Sequence, residues 1–315
     1  MAESGVISSL ETPTGARWIV LIPSANDAGW REAISQAVQA AGCRLVIEGD
    51  HSFEELAADP ACVCLVTDAA MTALVPSERV AILMPDPSSC ASACAARYDL
   101  TAPYDLRHAS NLLANATRRG LTRQPLAPAA LAGGHPIAVF DDITLSPPLV
   151  VARNAGNVET AVDATRDALQ MYQDGIPQPG AQAVWDSILF HYDRAIEAAQ
   201  GGTTFDVTGK PRTLAYGPYF TLPAGRWRAT IRFAVDDDAA MRRYRLDWGA
   251  GDDYAMMLVH PDASGIYELS IDHRFDGETG AQMRILLMEG AFAGFLTFHG
   301  GHVALLSDSE TGTLA

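Results

Sequence analysis

The sequence predicts an α/β domain with a parallel sheet, a helical connector and a C-terminal antiparallel β-sandwich. Short apolar runs alternate with helical patterns between 17 and 119, and prolines and glycines accumulate between 124 and 148. After Gly202 the hydrophobic period changes from that of a helix to two residues. The chain has 315 residues, 48% of them hydrophobic, which is enough for more than one core.

The charge balance limits the classes of partner. The chain carries 38 acidic and 22 basic residues, a formal net charge of −16 at pH 7. A molecule this acidic repels polyanions, so nucleic acids and anionic membrane surfaces are not expected partners. Every base except Lys210 is an arginine. Lysine-dependent chemistry is therefore excluded from residues 1–209.

The N-terminus and the apolar stretches predict a cytoplasmic protein. Residues 1–16, which we interpret as a disordered tail, contain Glu3 and Glu11 and no apolar run of signal-peptide length. No apolar stretch approaches the length of a membrane span, so no membrane insertion is expected.

The five cysteines fit a reducing compartment. Cys62 and Cys64 alternate on one strand, while Cys90 and Cys94 are one helical turn apart. These thiols are either ligands of a metal or small buried hydrophobic groups. The C-x-x-C spacing of zinc sites is absent, so we favour buried groups and expect no metal and no cofactor.

Residues 17–123 follow the pattern of a parallel α/β domain. The predicted strands are 17–23, 44–48, 62–67, 79–84 and 98–101, and the predicted helices are 27–41, 53–58, 69–74, 88–97 and 106–119. Strands this apolar are typical of a parallel sheet that is covered on both faces. The order of the elements favours a flavodoxin-like fold.

The spacing within 17–119 resembles the receiver domains of two-component response regulators. Asp68 follows the third strand, near that family's phosphoacceptor aspartate, and residues 98–106 resemble its fifth-strand signature. Ala102 stands where the family has a lysine, and Pro23-Ser24 stands where it has a magnesium-binding acidic pair. Phosphorylation of an aspartate needs both the lysine and the magnesium ion that the acidic pair binds. The resemblance therefore implies a degenerate receiver that binds partner proteins without being phosphorylated.

Two alternatives remain for this domain. Asp68 can be read as the N-cap of the helix that follows it, because its carboxylate would accept a backbone N–H bond there. The domain can also be a general Rossmann-like fold that binds a nucleotide. That hypothesis predicts a phosphate-sized pocket at the carboxyl ends of the strands.

A proline-rich linker and a helical hairpin are predicted between the two domains. The linker, 124–156, contains one candidate strand at 136–140. Residues 157–202 carry apolar stripes of helical period, with Leu169 on the first helix and Trp185 on the second. A hairpin of roughly 40 residues is too small to fold alone, so we expect a homodimer through 157–200 or packing on a neighbour. We interpret His191 as a packed, hydrogen-bonded side chain.

Residues 203–315 alternate apolar and polar side chains, as in Trp227, Ile231 and Phe233 against Arg228 and Arg232. The predicted strands are 213–222, 226–235, 241–248, 254–260, 266–273, 282–288, 292–298 and 302–306. Turns such as 223–225 and 249–251 separate them. Short strands at this spacing predict a β-sandwich or jelly roll.

The run from Gly217 to Arg228 resembles the opening of carbohydrate-binding-module-like jelly rolls. Sugar binding uses exposed aromatic rings and planar hydrogen-bonding groups. The resulting candidate ligand-binding residues are Tyr219, Arg228, Arg232, Arg243, Arg245, Trp248 and Tyr254, with Asp247 and Asp253 as acceptors. The alternative is that Trp227 and Trp248 are core residues and that the arginines pair with neighbouring acids.

No motif of nucleophilic, phosphoryl-transfer, zinc-hydrolase or dinucleotide chemistry occurs in the chain, so no catalytic residue is assigned. A pair of carboxylates that cleaves glycosidic bonds stays open, since such pairs are recognised by their separation in space. The leading hypothesis is a non-catalytic regulatory or scaffolding protein, linked to surface-polysaccharide production, that binds protein partners through the degenerate receiver and connector. The alternative is a glycan-binding or glycan-modifying protein that acts through the β-sandwich.

Overall fold

A computed structural model of the chain describes residues 15–50, 59–120, 125–148, 167–199 and 201–307. Its first sheet contains the parallel strands β1 (Arg17–Leu21), β2 (Arg44–Ile47), β3 (Cys62–Val66) and β4 (Val80–Leu83). The helices of this part are α1 (Asp27–Ala40), α2 (Pro87–Tyr98) and α3 (Tyr104–Gly120). The parallel sheet and these helices confirm the predicted α/β character.

The order of this sheet is β2-β3-β1-β4. In a flavodoxin-like sheet the first strand lies between the second and the third, whereas here β1 lies between β3 and β4. The flavodoxin-like prediction is therefore wrong, and the receiver resemblance finds no support. Apolar patterning identifies which segments are strands, but the packing of the connections decides which strands become neighbours.

The predicted fifth strand at 98–101 is also wrong. Tyr98 ends α2, and Asp99 takes a left-handed conformation with φ 53° as its cap. Leu126, from the predicted linker, instead forms a parallel bridge with Leu83 at this edge. The predicted helix at 69–74 is a short 3-10 turn at Ala69–Thr72, and the one at 53–58 lies outside the described residues.

The predicted linker folds onto the α/β domain. It contains α4 (Pro128–Ala132) and a hairpin of β5 (Ile137–Phe140) and β6 (Ile143–Leu145), and β5 confirms the candidate strand at 136–140. Phe140 and Ile143 are buried in one cluster with Trp30 of α1. The described part of this segment is therefore core rather than linker. Similarly, residues 1–14 lie outside the described residues, but Ala16 of the predicted tail is buried.

The predicted helical hairpin is not present in the described part of 157–202. Most of its first helix, 157–166, lies outside the described residues, and the second helix is wrong. In its place are strands β7 (Gln182–Trp185), β8 (His191–Tyr192) and β9 (Ala195–Ala199). Ala183 and Trp185 alternate inward while β7 pairs with a distant strand of the C-terminal sheet. That pairing is not visible in local periodicity.

The C-terminal part is an antiparallel β-sandwich, as predicted. Its further strands are β10 (Gly202–Asp206), β11 (Arg212–Leu222), β12 (Gly225–Val235), β13 (Tyr244–Ala250), β14 (Asp253–Val259), β15 (Gly265–Phe275), β16 (Thr279–Leu287) and β17 (Phe295–Leu305). One sheet has the order β15-β12-β17-β10-β9, with β7 also paired to β17, and the other has the order β14-β13-β16-β11-β8. From β10 to β17 the strands are distributed between the sheets as in a jelly roll.

Two strand predictions in the sandwich need correction. The predicted strands 292–298 and 302–306 fall largely in the single strand β17, because Gly300 and Gly301 interrupt the apolar pattern without ending the strand. At Gly300, which has φ 91°, a Cβ would lie 2.3 Å from the carbonyl oxygen of Trp185. The start of the predicted strand 241–248 follows the short helix α5 (Asp237–Ala240), and β13 begins only at Tyr244.

Helix α3 joins the two parts of the molecule. Its buried residues Leu106 and Leu113 belong to one continuous core cluster with Phe220 of β11. The Ser110 Oγ accepts a hydrogen bond of 2.9 Å from the backbone N–H of Thr221. These contacts place the first turns of α3 beside the C-terminal end of β11. Among the described residues, no helix has the length and apolar character needed to cross a membrane.

Candidate functional site

A row of directly paired residues crosses the outer face of the five-stranded sheet. From β8 to β14 the row consists of His191, Tyr216, Arg284, Asp247 and Met256. Because side chains alternate along a strand, their sequence neighbours point into the sandwich core. Each strand of this sheet therefore contributes one side chain to the same surface.

Asp247 is the buried centre of this row. Its side chain has 0% exposure, and its Oδ2 lies 2.7 Å from Nη2 of Arg284. The Nε of Arg245 lies 2.9 Å from the other carboxylate oxygen, although that N–H is not aimed at it. One carboxylate thus holds two partly exposed guanidinium groups in place, which keeps both arginines against the sheet.

Tyr254 lies next to this pair on the edge strand β14. Its ring packs over Gly249 of β13, where a Cβ would come within 2.9 Å of the ring atom Cδ1. The guanidinium carbon of Arg284 lies 3.7 Å from the ring centroid, and the Gln282 amide donates to the Tyr254 hydroxyl. The glycine near the end of β13 is therefore what lets the ring lie flat on the sheet.

Tyr219 reaches the same face through a β-bulge in β11. The register between β11 and β16 shifts between Pro218 and Phe220, and Tyr219 is the extra residue with φ 68°. This left-handed conformation is unfavourable for a residue with a Cβ. Bulges of this kind redirect a side chain, and here the ring points toward the beginning of α3.

Arg107 of α3 packs on the Tyr219 ring. Its guanidinium carbon lies 4.7 Å from the centroid of Tyr219 and 5.0 Å from that of Tyr104. Its Nε donates a hydrogen bond of 2.6 Å to the carbonyl oxygen of Pro218. An arginine from the α/β domain is thus stacked between two tyrosines and bonded to the backbone of the sandwich sheet.

His191 connects Arg107 to the row on the sheet. Its Nε2 lies 2.7 Å from Nη2 of Arg107. Because a guanidinium can only donate, this nitrogen must accept, which leaves the ring proton on Nδ1 and the imidazole neutral. Burial and the positive charge of Arg107 both lower the pKa of His191. The ring also lies 5.2 Å from that of Tyr216.

These side chains form one surface, which we call the aromatic–arginine face. Its members are Tyr104, Arg107, His191, Tyr216, Tyr219, Arg245, Tyr254 and Arg284, with Asp247, Gly249 and Gln282 beneath them. Tyr104 is 51% exposed and Tyr216 is 36% exposed, so solvent reaches two of the rings directly. Exposed rings next to planar hydrogen-bond donors are the arrangement that stacks on and hydrogen-bonds to a sugar.

The structure brings some of the predicted candidates together and separates the others. Tyr219, Arg245 and Tyr254 lie on the aromatic–arginine face, while Trp248 is fully buried beside Trp185 and is wrong as a ligand-binding residue. Its indole N–H donates to the carbonyl oxygen of Trp227, which is itself a core residue as the alternative predicted.

The remaining candidate arginines lie elsewhere. Arg228 and Arg232 project from β12 in the opposite sheet, and Arg228 makes two hydrogen bonds to Asp272. Arg243, directly before β13, pairs with Glu289. These pairs correspond to the predicted alternative of arginines neutralised by neighbouring acids. Asp253, predicted as an acceptor, lies 3.5 Å from His273 and is mostly exposed.

Sequence reasoning missed Tyr104, Arg107, Tyr216, Gln282 and Arg284. Gln282 and Arg284 occupy the outward positions between apolar residues of β16, so period-two alternation was a usable signal for them. No local signal exists for Arg107, because its partner Pro218 is 111 residues away. His191 is hydrogen-bonded, as predicted, but on the surface of the sheet rather than on a helix.

The residues that carried the receiver resemblance have structural roles. The Asp68 side chain accepts from the backbone N–H of Ala70, which confirms the N-cap interpretation, and it also accepts from Asn115 of α3. Ala102 lies in the loop before α3 and is exposed.

A cleft lies at the carboxyl ends of the parallel strands, where the nucleotide hypothesis expects one. Its volume is about 670 Å³, and its lining includes Ser24 after β1, Glu48 after β2 and Thr67 after β3. Glu48 accepts hydrogen bonds from both the backbone N–H and the hydroxyl of Thr67. A cleft of this size is large enough for a small molecule. Its lining also contains Arg31 and Arg97, so it is mixed in charge.

Metal-ligating side chains do not converge in the parts of the chain that the structure describes. No group of three or more His, Cys, Asp or Glu residues there has metal-binding geometry. Cys62, Cys64, Cys90 and Cys94 are free thiols that are fully buried. Burial raises the pKa of Cys64 to about 11, which keeps this thiol protonated.

The sequence matches no protein-family model and no curated protein. Similar solved structures include TmCBM61 in complex with beta-1,4-galactotriose, at 14% identity, over 40% of this chain and 94% of that one, with a TM-score of 0.26. A Glycosylation Associate Protein (Gap123) complex from Streptococcus agalactiae matches at 12% identity over 44% and 28%, with a TM-score of 0.28. A family two carbohydrate esterase from Cellvibrio japonicus matches at 9% identity over 40% and 33%, with a TM-score of 0.25. At these scores the similarities carry no functional argument, and the candidate function rests on the site itself.

Proposed function

We propose that this protein binds a glycan on the aromatic–arginine face of its β-sandwich. The observation that carries the proposal is the exposed Tyr216 ring, flanked by His191 at 5.2 Å between centroids and by the directly paired Arg284. A sugar ring stacks on an aromatic face through its C–H groups, while its hydroxyls bond to planar donors at the rim. The face supplies both kinds of group side by side.

The rigidity of the face supports a binding role. Arg284 is fixed by Asp247 and by the Tyr254 ring, and Arg107 is fixed by Pro218 and by two tyrosines. Side chains that are already ordered lose little conformational entropy when a ligand binds. The buried positions beneath them therefore act as support for the ligand-contacting groups.

The proposal is tested by titration calorimetry of the full-length chain against a panel of neutral and acidic oligosaccharides. Replacing Tyr216 by Ala removes the exposed ring, and we expect affinity to fall about tenfold, since an aromatic contact of this kind contributes on the order of 1.4 kcal/mol. Tyr98→Ala is the matched control, because Tyr98 is a similarly exposed ring on the α/β domain.

Two outcomes contradict glycan binding at this face. One is the absence of binding to every oligosaccharide in the panel. The other is equal binding by Tyr216→Ala and the unaltered chain, which would move the ligand to another surface. The outer face of the opposite sheet, where Arg228 and Arg232 lie, would then be the next surface to examine.

The regulatory or scaffolding hypothesis loses its structural basis. It depended on the receiver resemblance, which the order of the parallel sheet does not support. It also depended on a helical connector, and strands β7 to β9 occupy the place of its second helix. The location of the protein in the cytoplasm and its link to surface-polysaccharide production stay proposals.

A further inference from the structure

Arg107 carries a positive charge that no nearby acid neutralises. Among the described residues, no carboxylate lies within ion-pair distance of its guanidinium, although the whole chain has a net charge of −16. Its neighbours are the rings of Tyr104 and Tyr219, the carbonyl oxygen of Pro218 and the neutral imidazole of His191. Half-buried cations are normally paired with an acid.

The rest of the face does not supply the missing charge. Asp247 is shared between Arg245 and Arg284, so one negative charge faces two positive ones. With Arg107 the face therefore carries three guanidinium groups and one carboxylate. The hydrogen bonds of Arg107 use Nε and Nη2, and its Nη1 has no hydrogen-bond partner within the described ranges. The Nη1 group of this charged guanidinium is thus available as a hydrogen-bond donor at the rim, near Tyr104 and Tyr219.

We infer that the glycan bound on the aromatic–arginine face carries an anionic substituent, and that Arg107 binds this group. The inference rests on the proposed function and specifies its ligand class as an acidic sugar, with a carboxylate or a sulfate on the ring. A guanidinium forms short, charge-assisted hydrogen bonds with either group. Because the chain as a whole repels anions and salt screens charge beyond ~8 Å, selectivity must come from this close contact.

A pair of ligands with the same sugar rings and different charge tests the inference on the unaltered full-length chain. Oligogalacturonate and its fully methyl-esterified form have the same rings, but only the first has carboxylates. We expect the acid to bind at least about tenfold more tightly, since one charge-assisted bond accounts for that ratio. We also expect the difference to shrink as salt increases. A sulfated galacto-oligosaccharide in a parallel titration separates sulfate from carboxylate as the preferred group.

Variants of Arg107 locate the anion contact. Arg107→Gln is expected to remove the preference for the acid, because binding of the acid should weaken more than binding of the neutral ester, and Arg107→Lys is expected to restore part of that preference. Arg232→Gln is the matched control, because Arg232 is an exposed arginine on the opposite sheet. Thermal denaturation of each variant shows whether it is folded.

The possible failures are distinguishable. Equal affinity for the acid and its neutral ester overturns the acidic-sugar inference and leaves glycan binding intact. An acid preference that persists in a folded Arg107→Gln variant also overturns it, because another cation would then bind the anion. Lack of binding to every oligosaccharide overturns the proposed function and the inference together.

Discussion

Gly249 lies directly opposite Tyr254, and the absence of a side chain at Gly249 is what allows the Tyr254 ring to lie on the sheet. A Cβ at position 249 would be 2.0 Å from the carbonyl oxygen of Asp253 and 2.8 Å from the Cα of Tyr254. These contacts are with backbone atoms of the paired strand, so they cannot be relieved by a side-chain rotation. The glycine thus couples the edge strand to the aromatic–arginine face.

Gly249→Ala is therefore expected to destabilise the protein by about 2 kcal/mol or more and to weaken glycan binding, because overpacking displaces β14 and its tyrosine. Chemical denaturation measures the first effect and calorimetry the second. Gly277→Ala is the control, since a Cβ there meets nothing within 4 Å, and it should leave both quantities nearly unchanged. Similar stability of the two variants would show that β13 and β14 move apart without loss of unfolding free energy.

The bulge residue Tyr219 gives a prediction that separates backbone strain from side-chain function. At φ 68° a residue with a Cβ costs on the order of 1 kcal/mol more than glycine. Tyr219→Ala and Tyr219→Gly both remove the ring that packs on Arg107. We expect the glycine variant to be the more stable by about 1 kcal/mol in denaturation, with both variants binding glycan equally weakly. A less stable glycine variant would contradict the left-handed conformation.

Asp247 predicts a strong dependence of stability on one buried carboxylate. Asp247→Asn leaves Arg245 and Arg284 without their shared counter-charge, and loss of one partner from a buried pair costs about 3 kcal/mol. Asp272→Asn is the matched control in the opposite sheet, where the side chain of Asp272 is 23% exposed and bridges two arginines. Its loss of stability should be clearly smaller. Equal losses of stability in the two variants would mean that the burial of Asp247 does not increase the contribution of its carboxylate to stability.

His191 predicts acid sensitivity of the folded state. Burial and Arg107 hold its folded pKa below the ordinary value, whereas in the unfolded chain it returns to about 6.5. The unfolded chain therefore binds the proton more readily, and stability falls as the pH drops below about 6.5 toward the folded pKa. The pKa values of His108 and His302 are also lowered by burial, so they act in the same direction.

NMR titration of the His191 ring separates its effect on acid stability from the effects of His108 and His302. In the unaltered chain we expect a midpoint below the ordinary value, and in Arg107→Gln we expect the midpoint to rise, because one of the two causes of the shift is removed. His302 lies on β17 and should not change. An unaltered His191 midpoint in the variant would show that the Arg107 contact is not formed in solution.

Leu169 tests the prediction of self-association through 157–200. Leu169 and Tyr172 are buried within the same chain, and the Tyr172 hydroxyl donates to the carbonyl oxygen of Thr221. Leu169→Glu is therefore expected to lower the melting temperature sharply, since it places a carboxylate in an apolar core. Light scattering on the unaltered chain tests the dimer independently. Unchanged melting would show that this position is not core.

Local chemistry was sufficient to predict much of the C-terminal fold. The alternation of Trp227, Ile231 and Phe233 with arginines identified β12, because one face of a sandwich strand must be apolar and the other can be polar. The same kind of reasoning identified α2 and α3 and the role of Asp68 as a cap. These features depend on neighbours a few residues away, so the local sequence determines them.

The local sequence pattern could not determine the contacts between distant segments. The position of β1 between β3 and β4, the pairing of β7 with β17 and the placement of Arg107 on Pro218 each depend on residues far apart in the chain. The resemblance to carbohydrate-binding jelly rolls, together with residue type, makes Tyr219, Arg245 and Tyr254 candidates. Only the tertiary structure placed them beside Tyr216, Arg284 and Arg107, because a ligand surface forms where separate strands and a helix pack together.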